Sequence, residues 1–194
     1  IGTGSLKAVL GLKSDTHTIT EQYMKKMFRE GHHSAEFFKE SVLSFLKRIS
    51  EFSRKCGEKI EGICLCGHGP SILLIDSKGN PQTDIVTWQD SNAVCSAKKL
   101  KKIIDRFAKD GTSYEAKLLK LFTENNDLFA NGTKAMYPKD YVIFLLTGRS
   151  VIDFSTAATL AFFNTESLLF DTYSTGIPTD VFPEVINSWE EAGR

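Results

Sequence analysis

Net charge is the first thing this sequence lacks: 24 lysines and arginines balance 24 aspartates and glutamates. That balance leaves no basic footprint for nucleic acid or for an anionic membrane surface. Long apolar runs are missing too, and a stretch such as Tyr141–Leu146 is far too short to span a bilayer. No secretory signal opens the chain. No methionine opens it either; it starts on Ile1, in what reads as the middle of a strand, so we expect a fragment of a longer, cytoplasmic protein. Four cysteines in 194 residues are too few for a disulfide framework. Cys64 and Cys66 would share one face of a strand, but no second pair completes a zinc site, so buried reduced thiols are expected.

What is present is a core-forming composition, 41% hydrophobic, enough for one large domain. The pattern alternates strand and helix. Leu6–Leu10 reads as a strand after a Gly-Thr-Gly-Ser turn. Ala35–Arg54 places Phe38, Val42, Phe45, Leu46, Ile49 and Phe52 at helical spacing behind Ser34, a good N-cap. Strands are expected over Ile60–Cys66, Ser71–Asp76 and Asp84–Trp88, with a hairpin turn at Ser77-Lys78-Gly79-Asn80-Pro81. Asp76 begins a stretch with a superficial calcium-loop look, but no acidic residue closes it at the required position.

Helices follow over Ala97–Lys109, with Leu100, Ile103, Ile104 and Phe107 inward, then Tyr114–Phe122 and Lys139–Thr147. Pro138 suits a first-turn position, where its missing N–H costs nothing. Lys98, Lys99, Lys101 and Lys102 read as a solvated helix face, with phosphate binding a minor alternative. Asn131-Gly132-Thr133 matches a glycosylation acceptor and reads as a turn.

The most informative stretch is Thr87-Trp88-Gln89-Asp90, set about twenty residues after the turn Cys66-Gly67-His68-Gly69-Pro70. An aromatic, an amide and a carboxylate at a strand end offer a flat face for ring carbons beside donors and acceptors for hydroxyls. A core role for Trp88 and an N-cap role for Asp90, ahead of Asn92-Ala93-Val94, remain open beside that reading.

Several segments together resemble the FGGY carbohydrate kinases, the family of xylulokinase, gluconokinase and glycerol kinase. Gly2-Thr3-Gly4-Ser5-Leu6-Lys7 is similar to the family's first phosphate loop. Ile60–Asp76 resembles its strand, glycine turn, strand unit, and Thr87–Asp90 its tryptophan-amide-aspartate segment. Tyr137-Pro138-Lys139-Asp140-Tyr141, Leu146-Thr147-Gly148 and Asp153-Phe154-Ser155-Thr156-Ala157 resemble the run that ends the helical insertion of its first domain. Gly176-Ile177-Pro178 through Phe182-Pro183-Glu184-Val185 resembles the segment after it. These matches keep their order over nearly the whole chain.

The resemblance implies an α/β, ribonuclease H-like domain of the actin-like ATPase fold, with a mixed sheet and a helical insertion. Residues 1–194 would be the N-terminal, sugar-binding domain, incomplete at both ends and without the ATP-binding domain. It implies ATP-dependent phosphorylation of a sugar or polyol by the full-length protein, with Mg2+, and a homodimer as a candidate assembly.

Gly2, Thr3, Gly4 and Ser5 would cradle phosphate with bare backbone N–H groups, and Lys7 would add charge or face solvent. An ordinary β-turn is the bland alternative for that loop. His68, Gly69, Pro70, Trp88, Gln89 and Asp90 would bind substrate. His68, Gly69 and Pro70 stand where xylulokinase-like members carry glutamine, methionine and histidine, so sugar identity stays open. Asn92 replaces a common arginine, and Lys120 replaces a tryptophan in a helical signature that survives as Lys117-Leu118 and Glu124. The first hairpin, between Leu10 and Thr18, looks short.

The family's magnesium-organising aspartate would precede Ile1, and its catalytic aspartate would follow Arg194. The chain alone is therefore expected to be inactive. The competing expectation is a non-catalytic module of the same fold that binds a sugar or a protein partner.

Overall fold

The computed structural model describes the chain outside residues 3, 12–15, 23–26, 30, 31, 105, 106, 108 and 131, and gives the backbone alone for 16–22 and 27–29. Strand β1 (Ser5–Gly11) pairs antiparallel with β2 (Thr16–Gln22), Gly11 opposite Thr16. The shortened first hairpin therefore falls partly outside the described residues. Along β1, Leu6 is buried while Lys7 and Val9 face out, as a period of two requires. Strands β3 (Met27–Arg29) and β4 (His32–His33) lead into helix α1 (Ala35–Lys55). Ser34 caps α1, its hydroxyl accepting from Phe37 N at 3.2 Å.

Strands β5 (Leu73–Ile75), β6 (Ile85–Val86) and β7 (Lys134–Met136) form the central wall, with helices α2 (Val94–Ile103), α3 (Tyr114–Glu124) and α4 (Pro138–Thr147) packed around it. β4 pairs with β6 and β5 with β7, and a bridge between Ile72 and Val86 joins the two ladders. The wall is buried on both faces, so its apolar residues split by parity. Leu73, Ile75, Ile85 and Met136 pack with Phe38, Val42 and Tyr141 of α1 and α4. Ile72, Leu74, Val86 and Ala135 pack with Leu100, Tyr114 and Leu118 of α2 and α3. Beyond α4, β8 (Val151–Asp153) runs into the single turn α5 (Phe154–Ala157). A small hairpin of β9 (Phe163–Asn164) and β10 (Leu169–Phe170) follows, and β11 (Glu184–Ile186) returns parallel to β8.

Four expectations change. Ile60–Cys66 forms no strand: among the described residues its ladder-like bonds lie at its end, where Ile1 N donates to Cys66 O and His68 N to Ile1 O. Ile63 is left 53% exposed, while Leu65 is half-buried against the core. All four cysteines are exposed rather than buried, two of them on this segment. The third strand stops at Val86, because Thr87–Asp90 closes a turn with Asp90 N donating to Thr87 O at 3.1 Å. Helix α2 begins earlier and ends at Ile103, which is exposed, while Leu100, Ile104 and Phe107 are buried as expected.

Lys98, Lys99, Lys101 and Lys102 do form a solvated face, and Pro138 does occupy the first turn of α4. The Asp76 stretch is a side-chain-stapled turn: the carboxylate accepts from Lys78 N, Asn80 N and Asn80 Nδ2. Asn131 of the glycosylation match lies outside the described residues. Among the described residues, no helix is long and apolar enough to cross a membrane.

Candidate functional site

The turn after Cys66 is fixed from three directions. Ile1 N donates to Cys66 O at 2.6 Å, and His68 N donates to Ile1 O at 3.1 Å. Ile1 thereby sets the Gly2–Ser5 turn directly beside His68, and Gly2 N closes that turn on Ser5 O at 2.8 Å. Gly4 and Ser5 are half-buried and Lys7 is exposed, while Thr3 lies outside the described residues. From below, Gly67 sits against Lys139 and Gly69 against the Tyr137 ring, so close that a Cβ would meet Lys139 Cβ at 2.8 Å and Tyr137 Cε1 at 3.0 Å.

Gly67–Pro70 forms one wall of a cleft of about 430 Å3. Tyr114 and Tyr137, stacked with centroids 4.8 Å apart, line it with Lys139, Ser113, Ser155 and Thr156. Aromatic faces edged by hydroxyls, within the usual size range of ligand sites, suit a small polyhydroxylated molecule.

Electrostatics order this cleft. Lys139 Nζ donates to Asp140 Oδ1 at 2.5 Å and to Asp153 Oδ2 at 2.6 Å. Burial pushes the Asp140 carboxyl up to about 6, against the pull of Lys139. Burial also opposes ionisation of Asp153, but hydrogen bonds from Lys139, Ser155 and Thr156 outweigh it and hold that carboxyl well below the usual range. Asp153 also caps α5, accepting from Thr156 N at 3.0 Å.

Burial first, and then the nearby His33 and Lys117, lower the His68 imidazole to about 4 and keep it neutral. Its Nδ1 lies 2.9 Å from Ser71 Oγ, and Ser71 Oγ accepts from Trp88 N at 3.1 Å. The Nδ1 position is thereby engaged by Ser71, which leaves Nε2 for a further partner, as donor or acceptor according to the tautomer.

The Trp88 triplet lies outside the cleft lining, linked to it through Ser71. Trp88 is 45% exposed and Gln89 is exposed. Asp90 is buried and bonded within the chain: His32 Nε2 lies 2.9 Å from Oδ2, which also accepts from Asn92 Nδ2 at 2.8 Å, and Oδ1 accepts from Asn92 N at 3.0 Å. Burial would raise its carboxyl, but these bonds win and lower it. Asp90 does not cap α2, whose cap position is Ala93, without a side-chain bond. Among the described residues, no three His, Cys, Asp or Glu side chains converge as a metal site.

A family model described as the FGGY family of carbohydrate kinases, N-terminal domain, matches residues 1–194. The chain belongs to that family. A xylulose kinase of Staphylococcus xylosus is 25% identical over 210 residues, covering 100% of this chain and 43% of that protein. The fold agrees: the crystal structure of a xyloylose kinase from Brucella ovis superposes with a TM-score of 0.80 at 20% identity, over 96% of this chain and 41% of that one. A gluconate kinase from Lactobacillus acidophilus gives 0.78 at 22% identity, over 95% and 40%. The chain thus spans less than half the length of these relatives, and its mixed α/β architecture is that of the first domain of FGGY kinases, which have the actin-like ATPase fold.

Sequence reasoning missed several residues that build the cleft and the turns beside it. Lys139, Asp140 and Asp153 stood inside the quoted motifs, and the signal was a lysine beside one acid and fourteen residues before another. Ser71 carried no signal beyond its place after the turn. His32 carried no motif of its own, and it is buried against Asp90. Lys117 was named only for its signature, yet it is 1% exposed. Burial lowers its ammonium to about 8, although Asp90 and Asp110 pull the other way.

Proposed function

We propose that the intact protein phosphorylates a hydroxyl of a sugar or polyol with ATP, in the manner of a xylulokinase, with residues 1–194 as its sugar-binding domain and first phosphate loop. One observation carries this reading. Ile1 joins the Gly2–Ser5 turn to the Gly67–Pro70 wall of the cleft, so a hydroxyl pocket lies beside backbone N–H groups suited to phosphate. In-line transfer needs that proximity.

ATP supplies the phosphoryl group when bound. Thr3, Gly4 and Ser5 hold phosphate oxygens, Gly2 shapes the loop by closing it on Ser5 O, and Lys7 adds charge at longer range. His68 offers Nε2 to a substrate hydroxyl, and Gly69 and Pro70 shape the wall. Trp88 and Gln89 give an indole face and an amide at the mouth. Asp90 orders their turn and keeps one acceptor position on Oδ1 for substrate. The described residues offer no carboxylate cluster that fits Mg2+, so no step is assigned to that ion here. The proton acceptor and the adenine pocket belong to a second domain. The reading carries a cytoplasmic setting and a homodimer with it, and the assembly is checked by sedimentation.

The test is ADP release by the intact protein across pentuloses, hexuloses, gluconate and polyols. We expect one of them to drive ADP release, and residues 1–194 alone to give none. If a sugar raises the melting temperature of the intact protein but no ADP appears, the non-catalytic module is the correct reading.

A further inference from the structure

We propose that Lys117 is a positioning residue, a cationic clamp that holds together the three backbone segments of the sugar site. The claim rests on the sugar-kinase reading above only for what the assembled segments bind. Lys117 lies on α3 and is 1% exposed. Its Nζ donates to Pro70 O at 2.9 Å, Thr87 O at 2.8 Å and Thr112 O at 2.5 Å.

Each acceptor ends or begins a piece of the site. Pro70 closes the turn that walls the cleft, Thr87 precedes Trp88, and Thr112 precedes Ser113 of the cleft lining. Two of these partners lie 47 and 30 residues away in sequence, so the contact is tertiary.

Packing does not explain a lysine here. Tyr114, Ala116, Leu118 and Leu119 already bury α3, and Ser113 caps it by accepting from Ala116 N. Among the described residues, no carboxylate comes within ion-pair distance of Nζ, so three carbonyl dipoles hold the buried cation at contact while Asp90 and Asp110 act on it only from longer range. An apolar side chain of the same length would avoid that desolvation but could not bind three oxygens. Close fit around the clamp makes the segments sensitive to it: a Cβ on Gly111, next to Thr112, would lie 2.6 Å from Ser91 O and 2.7 Å from Val94 N. Ser71 Oγ adds a second link, between the turn and Trp88, and neither link replaces the other because Ser71 does not reach Thr112.

The test compares Lys117→Met with Leu118→Ala in the intact protein. Methionine keeps the unbranched length and removes the charge, whereas Leu118→Ala destabilises the same helix without touching the clamp. Amide hydrogen exchange reads the structure directly. In Lys117→Met, peptides over His68–Ser71, Trp88–Asp90 and Thr112–Ser113 should lose protection together by about tenfold or more, as segments released from a shared contact do. In the same variant, the KM for the active sugar should rise by about tenfold or more, since small misplacements of a binding wall are costly. The KM for ATP should stay within about twofold.

Faster exchange confined to α3, or equal loss in the two variants, overturns the clamp. Joint loss of protection with an unchanged sugar KM overturns its role in substrate positioning. If the wild-type protein phosphorylates none of the sugars, the kinase reading fails, and the exchange result alone decides the clamp.

Discussion

Gly67→Ala gives the sharpest test of how the turn is seated. The added Cβ would lie 2.8 Å from Lys139 Cβ, 3.5 Å from its Cγ and 3.7 Å from its Cα. Comfortable carbon–carbon contact begins near ~3.5 Å, so the overlap with Cβ is roughly 0.7 Å. Lys139 cannot yield by turning its side chain, because Cβ is anchored in the first turn of α4 and Nζ is tied to Asp140 and Asp153. The turn must move instead.

Overpacking of this kind costs about 1–3 kcal/mol. Stiffening of the unfolded chain by alanine returns about 0.4–1 kcal/mol where the backbone permits it. The net loss is therefore about 0–2.6 kcal/mol, or up to roughly 10 °C in Tm for a domain of this size, and about 1–3 kcal/mol relative to an alanine variant that gains the same backbone stiffening without the overlap. Gly62→Ala is the control, since nothing lies within 4 Å of its added Cβ. Urea unfolding of both variants supplies the comparison, and the sugar KM should rise only for Gly67→Ala as His68 shifts. Stabilities agreeing within about 0.3 kcal/mol would refute the steric argument.

Lys139→Met should cost about 3–5 kcal/mol near neutral pH, because it strands the Asp140 carboxylate in the core. Asp140 already sits at about 6, and loss of the cation raises it further, so acid protonates it in both proteins and the deficit in urea unfolding should narrow toward pH 5. A deficit independent of pH would exclude Asp140 as its source.

His68 has the opposite sign to Asp140. Its lowered value gives stability that is complete above 6.5 and lost as pH falls through about 4, whereas the raised Asp140 favours the fold below 3.8 and that support is lost as pH rises through about 6. The His68 interval corresponds to about 3 kcal/mol, reduced to about 1–2 for its partial exposure. Relative to wild type, His68→Gln should therefore gain stability steadily from pH 6.5 to 4.5. A constant difference would show that the imidazole does not titrate as argued.

Local order in the sequence predicted the local structure well where one segment satisfies itself. Ser34 and the aromatic stripe from Phe38 gave α1, Pro138 and Gly148 bounded α4, and the Asp76 turn closed on its own carboxylate. Ile60–Cys66 was misread because a strand requires a partner, and periodicity alone cannot supply one. Cys64 and Cys66 were misplaced with it.

Through its ordered motifs, the sequence by itself determined the family and the position of the glycine turn, whereas Thr87–Asp90, expected to end a strand, proved to be a turn. Tertiary structure alone decided what those turns lean on. Ile1 reaches His68 across more than sixty residues, Lys139 props Gly67, Asp90 turns inward to His32, and Lys117 gathers three carbonyls. The physical reason is burial: a lysine or histidine has the same letter whether solvated or enclosed, and only the fold fixes which oxygens replace its water.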